Sequence, residues 1–173
     1  MNIVLIGYRC CGKTSAGKLV AEKLDRQFID TDEIIVEKTG CSIDGIVSWH
    51  GWEHFRDIEK GVIKEVSLMK NIVIATGGGV VTNEENIKHL RANGVVIWLY
   101  ADIDTIKIRL SRDEKSAENR PSLTGKNSSD EIINVLEQRR PLYMKASDFS
   151  IDTTNMEIGK VADAIIEKTG NSK

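Results

Sequence analysis

The segment Gly7-Tyr8-Arg9-Cys10-Cys11-Gly12-Lys13-Thr14 matches G-x-x-x-x-G-K-[ST] in full and directly follows the apolar run Asn2-Ile3-Val4-Leu5-Ile6. That order dictates a local architecture: a buried strand, a glycine-bounded turn, and a helix opening at Lys13. In such a turn successive backbone N–H groups point inward, and the helix N-terminal dipole adds to them, which makes the loop an anion cradle. Gly7, Cys10, Cys11, Gly12, Lys13, Thr14 and Ser15 are therefore the expected contacts of a nucleoside triphosphate. Lys13 supplies a mobile charge for the β- and γ-phosphates, and the Thr14 hydroxyl is the expected ligand of Mg²⁺.

Beyond the P-loop the chain alternates strand and helix signals. Lys13–Leu24 carries Ala16, Leu19, Val20 and Leu24 on one apolar stripe and predicts a helix. A short strand at Gln27–Asp30 leads into the acidic run Asp30-Thr31-Asp32-Glu33. Helices are expected at Glu33–Lys38, Ser42–Trp49 and Gly51–Met69, with Ser42 as an N-cap. Asn71–Ala75 predicts a strand that ends in Gly77-Gly78-Gly79. A helix at about Asn83–Ala92, a strand at Val95–Leu99 and a helix at Ile103–Leu110 follow. The last pair is a strand at Phe149–Asp152 and a helix at Gly159–Lys168. Strands joined by helical crossovers imply a parallel sheet covered on both faces. The polar stretch from Ser111 to Ser129 has almost no apolar periodicity and interrupts the rhythm. An excursion of this length in a compact domain is a functional lid or a disordered stretch.

The 173 residues suit one domain with a substantial core. Net charge is −2, which gives no global basic field for nucleic acid or a membrane surface. No apolar run reaches the length of a membrane span, and the N-terminus enters strand and P-loop at once, so no signal peptide is expected. The three cysteines are an odd number, and Cys10 and Cys11 are adjacent. They show no C-x-x-C interval, so reduced thiols in a cytoplasmic protein are the economical reading.

Open parallel sheets bind ligands at the C-terminal ends of their strands, and the remaining chemistry-bearing residues fall there. Asp30 and Asp32 stand two apart, so an extended backbone would send both carboxylates the same way. Beside a nucleotide's Mg²⁺ they could hold metal-bound water or accept a substrate proton; by themselves they fit a solvated loop. Gly77-Gly78-Gly79 is either a flexible turn or a place where a ligand approaches backbone N–H donors closely. Arg56, Arg120 and Arg139 carry no signal individually, and Arg56 could simply pair with Glu59 or Glu53.

Taken in order, the P-loop, F-I-D-T-D at Phe28–Asp32, T-G-C-S-I at Thr39–Ile43, F-R-D-I-E at Phe55–Glu59, T-G-G-G-V-V at Thr76–Val81, R-P at Arg120–Pro121 and R-R-P-L-Y at Arg139–Tyr143 resemble shikimate kinases. The resemblance runs along nearly the whole chain. It implies a P-loop nucleoside-monophosphate-kinase-like fold, a three-layer α/β/α arrangement with a five-stranded parallel sheet and a mobile lid at about residues 111–127. It implies transfer of the ATP γ-phosphoryl group to the 3-hydroxyl of shikimate, with ATP and Mg²⁺ required, in a monomeric cytoplasmic enzyme of aromatic amino-acid biosynthesis.

By motif, Asp32 matches the family carboxylate that contacts the shikimate hydroxyls and accepts the proton, and Asp30 a carboxylate near the Mg²⁺ water shell. Arg56 and Arg139 match arginines that grip the substrate carboxylate, a use suited to the planar guanidinium fork. Gly78 and Gly79 match backbone donors of the substrate pocket. Arg120 matches the lid arginine that closes over the phosphates. Either Arg109 or Arg112 matches the arginine that packs on adenine, and Asp152 and Thr153 fall where a family loop meets the base.

Some positions depart from the pattern. Cys10 stands where the family commonly has a third glycine, so the backbone there must avoid positive φ or bear strain. Trp52 follows Gly51 where a glutamate is frequent, with Glu53 shifted by one. Cys10 and Cys11 beside Lys13 are either redox-sensitive thiols or inert loop residues. A kinase of gluconate or of a nucleoside monophosphate would share the fold and Lys13, and a non-catalytic nucleotide-binding module is the remaining alternative.

Overall fold

The computed structural model describes residues 1–112 and 129–170. Five strands, β1 (Asn2–Ile6), β2 (Gln27–Asp30), β3 (Ile72–Ala75), β4 (Gly94–Tyr100) and β5 (Phe149–Asp152), pair in the order β2-β3-β1-β4-β5. All pairings are parallel, and β1 lies at the centre with Val4 opposite Ile74 on one side and Val96 on the other. Every residue of β1 is buried, as expected for a strand covered on both faces.

Alternation along the strands divides the core. Val4, Ile6, Ile74 and Val96 face one cluster, with Ile35, Phe55, Ile63 and Leu90. Ile3, Leu5, Val73 and Ile97 face the other, with Ala16, Val20, Ile106 and Ile165. The period of two thus sets two apolar layers, and each fully buried Val, Leu or Ile stabilises by about 1.5–3 kcal/mol. The first layer is covered by α2 (Thr31–Thr39), α3 (Ile43–Ser67) and α4 (Glu84–Asn93). The second is covered by α1 (Lys13–Leu24), α5 (Ile103–Arg112) and α7 (Ile158–Gly170). The remaining helix, α6 (Ser129–Ala146), sends Tyr143 into the first and Val135 into the second.

Most elements fall where the sequence places them, and the differences have local causes. α2 begins at Thr31, earlier than Glu33, because the Asp30 side chain caps it by accepting the Asp32 N–H at 3.0 Å. Asp30 and Asp32 therefore do not project in parallel from extended backbone, which corrects that expectation. Ser42 caps α3 by accepting the Gly45 N–H at 3.1 Å. The two helices expected on either side of His50 are both present within α3, parted by a kink at Gly51, where φ is 81 and ψ 169. α6 was not legible as a helix, since it follows the polar stretch directly and carries Pro141 inside it. Ser111 and Arg112, at the start of the expected lid, end α5, and the rest of it, with Arg120 and Pro121, lies outside the described residues.

Candidate active site

The P-loop leaves β1 through Gly7, whose φ is 141. A Cβ on Gly7 would sit 2.1 Å from the Leu99 carbonyl oxygen at the end of β4, so the close packing of loop on sheet requires glycine. The loop closes at Gly12, φ 90, which is the N-cap of α1. Between them Cys10 adopts φ 61 without being glycine, so the strained alternative is the one realised. Lys13 is buried and its Nζ donates to the carbonyls of Gly7 and Tyr8, both at 2.8 Å. The Thr14 hydroxyl donates to Asp30 Oδ2 at 2.9 Å. Asp30 thus caps α2 with one oxygen and faces the start of α1 with the other. Ser15 is exposed on the first turn of α1.

The sheet connections place the second half of the site. From β1 the chain crosses by α1 over one face, and from β3 it crosses by α4 over the other, so the crevice opens between the C-terminal ends of β1 and β3. The P-loop leaves one strand and Gly77-Gly78-Gly79 the other, and a Cβ on Gly78 would be 3.5 Å from the Gly7 carbonyl. The Gly77 N–H donates to the buried Thr31 hydroxyl at 3.3 Å, and the Thr76 N–H to the Leu5 carbonyl at 3.1 Å, which pins the triple glycine to the sheet.

A cleft lies in this crevice, and Lys13, Asp32, Arg56, Gly78, Gly79 and Arg139 all line it. Residues remote in sequence therefore converge on one site. Arg56 is aimed by three contacts. Its Nη1 donates to Glu59 Oε2 at 2.7 Å, and its guanidinium lies 5.4 Å from the Trp52 ring centre and 5.1 Å from that of Phe55. Pairing with Glu59, the plainer reading of Arg56, coexists with a place in the cleft. Glu59 is 1% exposed. Burial pushes its carboxyl above the ordinary range, the Arg56 charge opposes that, and nearby Asp32 adds to it. Arg139, on α6, donates from Nη1 to the Gly78 carbonyl at 3.1 Å, and the Tyr143 hydroxyl donates to the same oxygen at 2.5 Å. Tyr143 is one turn further along α6 and stacks on Trp98 with ring centres 5.8 Å apart. Burial raises its phenol well above the usual range.

On the outer side of the P-loop a second hollow is bounded by Cys10, Gly12, Ser15, Arg109, Thr153 and Ile158 among others. Arg109 is part of its wall, whereas Arg112 is exposed at the end of α5 and does not line it. From sequence Glu59 was only a possible partner of Arg56 and Thr153 only part of a loop near the base, while Tyr143 had no part beyond its motif. The Arg139-to-Tyr143 spacing of one helical turn was the available signal for Tyr143.

A buried Lys13 ammonium at the N-terminus of α1 suits a polyphosphate, and the Thr14 and Asp30 oxygens suit a hard cation such as Mg²⁺. No cluster of three or more His, Cys, Asp or Glu able to hold a metal occurs among the described residues, so phosphate and water oxygens would have to complete its shell. No described helix is long and apolar enough to cross a membrane.

A P-loop set against an arginine-lined cleft at the switch point of a parallel sheet defines a small-molecule kinase of the P-loop class. The family model for shikimate kinase matches residues 9–169. A shikimate kinase of Caldicellulosiruptor bescii is 46% identical over 95% of this chain and 93% of its own length. One from Thermodesulfovibrio yellowstonii is 47% identical over 99% and 98%. The solved structure of shikimate kinase from Acinetobacter baumannii in complex with shikimate superposes with a TM-score of 0.89 at 33% identity, covering 99% of this chain and 95% of that one. The chain belongs to the shikimate kinase family and has its nucleoside-monophosphate-kinase-like P-loop fold.

Proposed function

We propose that this enzyme transfers the γ-phosphoryl group of ATP to the 3-hydroxyl of shikimate, giving shikimate 3-phosphate and ADP. The observation that carries the reading is the convergence of Asp32, Arg56 and Arg139 on one cleft bounded by Lys13. Two guanidinium groups there can hold a carboxylate by bidentate charge-assisted bonds. Asp32 then stands on the phosphate side, where it orients the acceptor hydroxyl and takes its proton, a contribution typically of about 10²–10⁴-fold. The Gly78 and Gly79 backbone borders the bound ring.

The triphosphate lies in the P-loop, and Lys13 exchanges its two carbonyl partners for phosphate oxygens when it arrives. Thr14 and Asp30 would hold Mg²⁺, which neutralises phosphate charge. Arg109 borders the base, and Arg120, outside the described residues, is assigned to the transferring phosphoryl group. The same reading takes the chain as one domain with a lid at about 111–127, acting as a cytoplasmic monomer.

The direct test is ADP release by purified protein with ATP and Mg²⁺, offered shikimate, quinate, gluconate or AMP. Turnover with shikimate well above all others is expected. Faster turnover with gluconate or AMP would replace the reading by another kinase of the same fold.

A further inference from the structure

Thr153, just beyond β5, is only 2% exposed, and its hydroxyl is used inside the protein. Its Oγ1 accepts a hydrogen bond from Arg109 Nη1 at 3.1 Å. Its single hydroxyl hydrogen is shared between the Tyr100 carbonyl at 3.1 Å and the Cys11 carbonyl at 3.3 Å. Its backbone is engaged as well: the N–H donates to the Tyr100 carbonyl at 2.7 Å, and the carbonyl accepts from Arg109 Nη2 at 2.7 Å. Arg109 in turn donates from Nη1 to the carbonyl of Cys10 at 3.2 Å. Thr153 and Arg109 therefore bind each other through two contacts and together hold the carbonyls of two successive P-loop residues.

One of those residues is Cys10, the non-glycine at φ 61. A left-handed conformation is unfavourable for an ordinary L residue and persists only where the surroundings over-determine it. The two carbonyl contacts are such surroundings. Those contacts fix the orientation of two successive peptide units in the loop.

We propose that Thr153 is a positioning residue for the phosphates, acting through Arg109 and the Cys10–Cys11 carbonyls as a clasp that holds the strained P-loop in its anion-binding shape. Arg109 thereby serves the phosphates as well as any base beside it. The inference rests on the P-loop being a triphosphate site, so the test separates the two.

Inorganic tripolyphosphate, which has no base, and ATP are titrated by calorimetry against the native protein, Thr153→Val and Thr153→Ser. Valine keeps the shape and removes the hydroxyl, whereas serine restores it. Thr153→Val should lose about 10-fold in affinity for both ligands, as expected for one or two buried hydrogen bonds. Thr153→Ser should stay within about 2-fold of native, and KM for shikimate at saturating ATP should not move in either. Arg109→Lys, which keeps the charge but loses the fork, should weaken tripolyphosphate about 3–10-fold. Native binding of both ligands with unchanged tripolyphosphate affinity in Thr153→Val overturns the clasp alone. Should the valine variant fail to fold, unchanged tripolyphosphate affinity in Arg109→Lys overturns it. A native protein that binds neither ligand overturns the triphosphate site and the clasp together.

Discussion

The role proposed for Asp32, proton acceptor to the substrate hydroxyl, turns on one atom. Asp32→Asn keeps the shape but removes the proton acceptor, so turnover should fall by about 10²–10⁴-fold while calorimetry shows ATP binding intact. Near-native turnover would dismiss Asp32 as the base. Glu59 offers a different test, because its folded-state pKa lies above the ordinary value of 4.5 through burial. The folded protein then binds this proton more tightly than the unfolded chain. The associated stability is complete below the ordinary carboxylate range and is lost as pH rises through the raised value. Glu59→Gln has no such loss. Its melting midpoint should therefore improve relative to native as pH rises out of the ordinary carboxylate range, and a constant difference would show that Glu59 ionises without cost. The same loss of Arg56's ionised partner predicts a raised KM for shikimate in the glutamine variant. The P-loop residues were legible because their spacing is contiguous. The Arg56–Glu59 pair was legible from its i,i+3 spacing, but the burial of Glu59 and its nearness to Asp32 were not, since neither is a property of local spacing.

At the scale of elements, the triple-glycine loop shows how little room the site leaves. A Cβ on Gly79 would lie 2.1 Å from Arg56 Nη2, the far end of a flexible side chain. Gly79→Ala should fold with a melting midpoint near native but swing Arg56 aside, raising KM for shikimate about 10-fold or more with KM for ATP unchanged. Gly7→Ala meets a backbone carbonyl at the same 2.1 Å and cannot be relieved that way. It should lose fold stability outright, seen in chemical denaturation, and a variant as stable as Gly79→Ala would contradict the close packing of loop on sheet. Strands and most helices were readable because their periods are local. α6 was not, because its buried positions, Glu131, Val135, Tyr143 and Ala146, answer to both layers of the core and Pro141 breaks the usual signal. The kink at Gly51 was visible only as a boundary between two expected helices, and the cap at Asp30 was hidden by its resemblance to a strand end.

For the whole molecule, binding should appear as stability. A nonhydrolysable ATP analogue at a hundredfold excess over its Kd adds about 2.7 kcal/mol, which for a chain of this size is a rise of about 5–10 °C in melting midpoint. Chelation with EDTA should remove part of the rise if the Thr14 and Asp30 oxygens hold a cation, and an identical rise with and without chelator would take the metal out of the site. The sheet order itself has a wider consequence. The wall of the acceptor cleft is rooted in the layer of Val4 and Ile6, and the P-loop helix in the layer of Ile3 and Leu5. Such a chain is partitioned: drift on one side could retune which alcohol is taken up while the phosphate donor is handled as before. Among the described helices only α6 is anchored in both layers. It is the element through which an altered acceptor would be felt by the donor, and therefore the one least at liberty to change.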